Sequence, residues 1–152
     1  MPDHDQIIAK AKHFCAYQER CISEVRKKLV QWKASKKQAE KVIIELIDEK
    51  YIDEERFAGI FAAGKSRNNQ WGKLKIEMEL KRRGIPENTV TKAISSIDTD
   101  EYSAILITLL ERKSLEYGNI DPFEKKQKLI RFALGKGYTT DEIYRALEKT
   151  AI

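Results

Sequence analysis

The stretch from Lys73 to Ile97, KLKIEMELKRRGIPENTVTKAISSI, reads as two short helices joined by a tight turn. Ile76 and Leu80 on one side, and Val90, Ala93 and Ile94 on the other, follow helical spacing, so each segment offers one apolar stripe. Gly84 supplies the left-handed position that ends the first helix, Ile85 follows it, and Pro86 sits early in the second helix, where no amide donor is needed. The pattern returns 53 positions later as Leu129, Ala133, Gly137, Tyr138, Ile143, Ala146 and Leu147, and 51 positions earlier as Val25, Leu29, Lys33, Ala34, Ala39, Val42 and Ile43. A unit that recurs at a spacing near fifty residues predicts stacked supersecondary modules and not one catalytic core.

Outward from the pairs, apolar residues keep helical spacing, and no stretch alternates long enough for a strand. A longer amphipathic helix precedes each pair. The first spans roughly 5 to 19, with Ile7, Ile8, Ala11, Phe14 and Cys15 on one stripe. The fourth is capped by Asp53 and carries Phe57, Ile60 and Phe61, ahead of the polar run Arg67 to Gln70. The seventh is capped by Asp98 with Glu101 and carries Ile105, Leu106, Leu109 and Leu110. Ser23 is the expected cap of helix two, and Ser35 with Gln38 the expected capping box of helix three. Asp121, Pro122 and Glu124 open helix eight, and Thr139 with Glu142 opens helix nine. The expectation is an all-α fold of about nine helices in three tandem three-helix, helix-turn-helix-like repeats, 1–52, 53–97 and 98–152. With no Gly, Ser or Pro-rich linker between them, the repeats should form an elongated, curved array.

Charge follows the repeat. Residues 20–41 carry a net +6, 64–84 a net +5 and 125–137 a net +5, while 42–63 sum to −4 and 98–124 to −5. Three basic second helices in register predict a binding face for phosphates or carboxylates, in keeping with the overall +5. Its candidate residues are Arg26, Lys27, Lys28, Lys33, Lys36 and Lys37 in the first repeat, and Arg67, Trp71, Lys73, Lys75, Lys81, Arg82 and Arg83 in the second. In the third they are Lys125, Lys126, Lys128, Arg131 and Lys136. Part of this charge serves the helices themselves, since cations favour helix C-termini and Glu77 can pair with Lys81. Trp71 borders the patch and suits either packing or stacking on a base; Trp32 and Tyr138 are assigned to packing.

Other chemistries find little support. Cys15 and Cys21 match neither a disulfide framework nor a zinc knuckle and are read as free, reduced thiols, and His4 and His13 are isolated, so neither metal nor cofactor is expected. There is no glycine-rich phosphate loop and no Ser, His, Asp constellation, and Asp48, Glu49, Asp53 and Glu54 are explained by capping and solvation. No apolar run approaches the roughly 18 residues of a membrane span, and MPDHDQII lacks the marks of a signal peptide, so a cytoplasmic, non-enzymatic protein is expected.

The run Leu46 to Asp53, LIDEKYID, through Arg56, Phe57 and Ala58, followed by Gly72, Ile76, Glu79, Leu80, Arg83, Gly84 and Ile85, resembles the signature of the RecX family of recombinase regulators. Arg20 and Ser23 before Val25 and Leu29 are similar to that family's opening repeat, and Lys128 to Phe132 through Gly137, Tyr138 and Ile143 to its third. The resemblance implies a monomeric modulator of the bacterial RecA recombinase. Such a protein binds in the groove of the RecA filament on single-stranded DNA and inhibits ATP hydrolysis, filament extension and strand exchange. Two departures stand out. Lys33 and Ala34 replace the turn glycine and its apolar follower, which predicts a different first turn, and Gly135 is expected to loosen the end of helix eight. The competing reading is a stand-alone helix-turn-helix array that binds duplex DNA on its own, as a transcription factor or a sequence-blind binder. Against it, residues 85–97, the second helix of a pair and the usual groove reader, carry only Lys92 against Glu87.

Overall fold

The computed structural model describes residues 3–150, and among these every regular element is an α-helix. Residues 1–2 and 151–152, the outer ends of the first and third repeats as drawn from the sequence, lie outside them. The helices are α1 His4–Tyr17, α2 Ile22–Gln31, α3 Lys36–Asp48, α4 Glu54–Asn69, α5 Lys73–Arg82, α6 Glu87–Ser95, α7 Thr99–Tyr117, α8 Pro122–Gly135 and α9 Thr140–Glu148. They pack in threes around three apolar clusters. Ile7, Ala11, Val25, Leu29, Val42 and Leu46 lie at the centre of the first, Phe57, Ala62, Ile76, Leu80 and Val90 of the second, and Leu106, Leu110, Leu129, Tyr138 and Ile143 of the third.

Most helix starts are the ones their sequence signals predict. Ser35, Asp53, Asp98, Asp121 and Thr139 each accept a hydrogen bond from the amide three residues on, and Glu142 completes a reciprocal box with Thr139. Helix α2 differs, because it opens at Ile22 with Cys21, not Ser23, as its N-cap. Cys21 is fully buried against the second cluster, which fixes where the chain turns into the helix, and its amide donates to Glu24 Oε1 at 3.2 Å. Helix α4 also differs in its face. Phe57 is buried and Phe61 packs beside it as expected, but Ile60 is 55% exposed, and Ala58 and Ala62 complete the buried face in its place. Gly135 completes α8 without interrupting it.

The first turn does not differ from the others. Lys33 takes the left-handed conformation (φ 65°) that Gly84 (82°) and Gly137 (101°) take in the later repeats. In all three the next amide reaches back five residues: Ala34 to Leu29 (3.0 Å), Ile85 to Leu80 (3.1 Å) and Tyr138 to Ala133 (3.2 Å). Packing of the pair sets the turn, and the lysine bears a backbone cost of about 1–2 kcal/mol that glycine avoids. Cys15 and Cys21 are free and buried, and burial pushes the Cys15 thiol up to about 11, far from a reactive range.

Candidate interaction surface

Helix α5 begins without a capping side chain, since its N-cap is Gly72. Its first amides are satisfied by the third repeat instead. Gly72 N donates to Lys136 O (2.7 Å), Lys73 N to the Tyr102 hydroxyl (2.9 Å) and Leu74 N to Gly137 O (3.1 Å). In the other direction, the Tyr138 hydroxyl donates to Gln70 O (3.0 Å) and Lys136 Nζ to Asn69 O (2.6 Å). Tyr102 passes its own proton towards Glu142 Oε1 (3.2 Å), and burial holds both phenols well above their ordinary range, as neutral donors. The two backbones touch at Gly72 and Gly137. A Cβ on Gly72 would lie 2.2 Å from the Gly137 carbonyl carbon, and one on Gly137 would lie 2.4 Å from Lys75 Cβ. Only two glycines permit this approach.

This joint gathers lysines from both repeats. Lys65 and Lys75 lie over the Trp71 ring at 4.9 and 4.7 Å, Lys73 over Tyr102 at 4.7 Å and Lys113 over Phe132 at 4.6 Å. Lys136 is half-buried between them. Burial, and then the neighbouring ammonium groups of Lys75 and Lys113, lower its pKa from the ordinary lysine value. Among the described residues, Lys65, Lys73, Lys75 and Lys136 have no carboxylate partner, and Lys113 pairs with Glu116 at 2.9 Å.

The other basic residues expected to form the face divide by partner. Arg26 pairs with Glu40 (2.6 Å), Arg67 with Glu101 (2.5 Å), Lys81 with Glu77 (2.9 Å), Arg82 with Glu79 (2.5 Å) and Lys128 with Glu124 (3.9 Å). Arg83 bridges Glu79 (3.1 Å) and Glu24 of the first repeat (3.5 Å). The Arg82 guanidinium hydrogen-bonded to Glu79, with Arg83 beside it, brings that carboxyl down to about 2. The cations at the C-terminal end of α5 are thus each paired, Arg83 partly with the first repeat, and the unpaired charge sits at the start of the helix, where the dipole disfavours it. Among the described residues Lys27, Lys33, Lys36, Lys37, Lys125 and Arg131 have no carboxylate partner either, while Lys28 lies over Phe14 and Lys126 over Tyr144. Among the described residues, no ion pair, hydrogen bond or ring contact joins the first repeat's lysines to those of the joint. Trp71 is half-buried and meets Phe61 edge-on at 6.3 Å, so it packs as well as bordering the patch.

Lys65 and Lys113 were absent from the face expected from sequence. Lys113 belongs to the acidic stretch 98–124, and only the fold carries it to the joint. Lys65 lies in a basic stretch but one helix earlier, and its spacing to Trp71 was the available signal.

The fold has counterparts in known proteins. Residues 53–94 match the family model described as RecX, second three-helix domain, and residues 100–147 the one described as RecX, third three-helix domain. The chain belongs to the RecX family. Regulatory protein RecX of Shigella boydii is 29% identical over 154 residues, covering 93% of this chain and 90% of that protein. Regulatory protein RecX of Halalkalibacterium halodurans is 29% identical over 142 residues, but the match covers 93% of this chain and 53% of that protein. The chain therefore spans about half the length of several RecX relatives. The crystal structure of RecX from Lactobacillus salivarius shares the fold, with a TM-score of 0.87 at 22% identity, covering 96% of this chain and 95% of that one. These RecX relatives carry the name of regulatory proteins. Among the described residues no helix is long and apolar enough to cross a membrane.

Proposed function

We propose that this chain binds the filament formed by the RecA recombinase on single-stranded DNA and restrains its ATPase, its extension and strand exchange. The observation that carries the reading is the lysine surface without carboxylate partners, built across the joint of two repeats in a chain of the RecX family of regulatory proteins. A series of repeats suits this partner, because contacts to successive protomers act at high effective concentration once the first has formed. The joint lysines Lys73, Lys75 and Lys136 are the leading contacts; Lys27, Lys33, Lys36, Lys37, Lys125, Lys126 and Arg131 are secondary ones. The ion-paired Arg26, Arg67, Lys81, Arg82, Arg83 and Lys128 contribute less, since their charge is already compensated.

The test is the single-stranded-DNA-dependent ATPase of a cognate RecA with this protein titrated in at moderate salt. Inhibition at substoichiometric ratios supports control of filament growth. An unchanged ATPase together with tight duplex binding would replace this reading with that of an independent DNA-binding array.

A further inference from the structure

The two joints between repeats share one entry signature. At the first, Ile52 packs into the cluster of the repeat being left, Asp53 caps α4, and Phe57, four residues after the cap, is buried in the repeat being entered. At the second, Ile97 packs against both the second and third clusters, Asp98 caps α7, and Tyr102, again four residues on, is buried. Each entering start is acidic and meets a cation of the repeat before it: Arg26 stands beside Glu54, and Arg67 pairs with Glu101.

On the third repeat the matching seat is open. A groove of about 980 Å³ runs between the end of α7, the start of α8 and the end of α9, with Ser114, Leu115, Ile120, Leu129, Tyr144 and Leu147 along its walls. Leu115 is 83% exposed, and Phe123, next to the groove residue Pro122, is 70% exposed. Lys125 and Lys126 also line the groove, and neither has a carboxylate partner among the described residues. They stand 53 positions after Gly72 and Lys73, whose amides the third repeat holds. Helix α8 brings its own cap, so this seat is complete while empty, as a contact that opens and closes requires. Helix α1 packs against α2 and α3 of its own repeat, and its start carries the signature of α4 and α7. Asp3 is its N-cap, Asp5 follows, both are exposed, and Ile7 is buried at the position of Phe57 and Tyr102. Asp53 and Asp98 accept bonds from their own helices, whereas Asp3 makes no such bond, which leaves its carboxylate free for a cation.

We propose that the groove seats the α1 start of a second copy of this chain, so that copies join head to tail by the contact that joins repeats within one chain. Asp3 and Asp5 of the entering copy meet Lys125 and Lys126, and Leu115 and Phe123 are covered. The two copies offer different faces, so the contact is heterologous and extends without closing. One helix start on one groove is small beside the roughly 1,200–2,000 Å² of a stable complex, so the association is weak and depends on concentration. The proposal goes beyond the proposed function and does not depend on it.

The test is sedimentation velocity of the untagged 152-residue chain from about 10 to 500 µM, a range suited to a weak contact, with thermal melting of each variant to confirm folding. Wild type is expected to pass from monomer to dimer and longer species as concentration rises. Leu115→Asp with Phe123→Asp removes the seat, and Asp3→Lys with Asp5→Lys removes the entering start; all four side chains are exposed, so both variants keep the fold. Each alone should remain monomeric. Mixed in equal amounts they should form a dimer and nothing longer, because one still offers a start and the other a seat. Wild type that stays monomeric throughout overturns the proposal and leaves the groove to a helix of another protein. Association that survives in either variant alone also overturns it, since a symmetric contact needs only one of the two faces, and so does a mixture that forms no dimer.

Discussion

Replacing Gly72 with alanine tests whether the second and third repeats are locked as one body. Gly72 has φ −76° and ψ 161°, which alanine adopts freely, so the cost arises from the joint and not from the local backbone. The new Cβ would lie 2.2 Å from the Gly137 carbonyl carbon and 2.3 Å from both its oxygen and Tyr138 N. Backbone atoms cannot swing aside as a flexible side chain does, so the two repeats must separate. Separation breaks the bonds from Gly72 N to Lys136 O, Lys73 N to the Tyr102 hydroxyl, Leu74 N to Gly137 O and the Tyr138 hydroxyl to Gln70 O. At about 1 kcal/mol each, and with water replacing part of these bonds, the expected destabilisation is about 2–4 kcal/mol. For a chain of this length that lowers Tm by roughly 4–16 °C. Because stacked repeats contribute repeat and interface terms separately, weakening one interface should also broaden or split the denaturant transition. The assay is chemical and thermal unfolding with hydrogen exchange at the Leu74 amide. A Tm within 2 °C of wild type and an equally protected Leu74 amide would show that the glycine contact does not hold the joint.

Three other outcomes are expected. Lys33→Gly should raise stability by about 0.5–1 kcal/mol in urea unfolding, because glycine takes φ 65° without the lysine's strain while giving back some unfolded-state entropy; a loss of stability would refute the assignment of strain to that turn. Glu79 has its folded pKa brought from 4.5 to about 2 by Arg82 and Arg83, so its contribution is present above 4.5 and is lost as pH falls towards 2. Glu79→Gln should therefore flatten the decline of stability across that window, and an unchanged pH profile would show that the pairing is not felt. Leu80 is fully buried at the centre of the second cluster, and Leu80→Ala should cost about 2–5 kcal/mol, read from the urea midpoint.

Much of the fold was legible because its signals are local. The i, i+3, i+4 stripes of each pair, the caps at Ser35, Asp53, Asp98, Asp121 and Thr139, and the glycine turns at Gly84 and Gly137 all act within a few residues. The errors fell where tertiary packing outweighs such signals. Cys21 is a weak cap by type, and its burial against the second repeat decides where α2 begins. Lys33 lacks the freedom of glycine, and the packing of Leu29 against α3 imposes the turn all the same. The pairing of the basic residues was not legible. Charge counts along the sequence could not show that Glu79 neutralises Arg82 and Arg83, or that Lys113, from an acidic stretch, sits beside Lys136.

The two joints perform one task with different chemistry. In each, the following repeat satisfies amides at the start of the preceding pair. Glu54 Oε2 accepts from Ile22 N at 3.1 Å in the first joint, and Lys136, Tyr102 and Gly137 accept from the start of α5 in the second. Two helix starts with weak local caps, Cys21 and Gly72, are completed by a neighbouring repeat, whereas α8 carries its own Asp121 and Pro122. At these two starts the missing local acceptor is supplied where the next repeat sits. The first joint adds ion pairs, Arg56 with Glu19 at 2.7 Å and Arg83 with Glu24 at 3.5 Å, whose strength falls with salt. The second also holds an ion pair, Arg67 with Glu101 at 2.5 Å, but adds main-chain and tyrosine-hydroxyl bonds and a glycine contact, which salt does not weaken in this way. That difference matches what each joint has to hold. Clustered lysines without carboxylate partners push their supports apart, so the surface that gathers them needs a frame that does not yield as charges approach or leave.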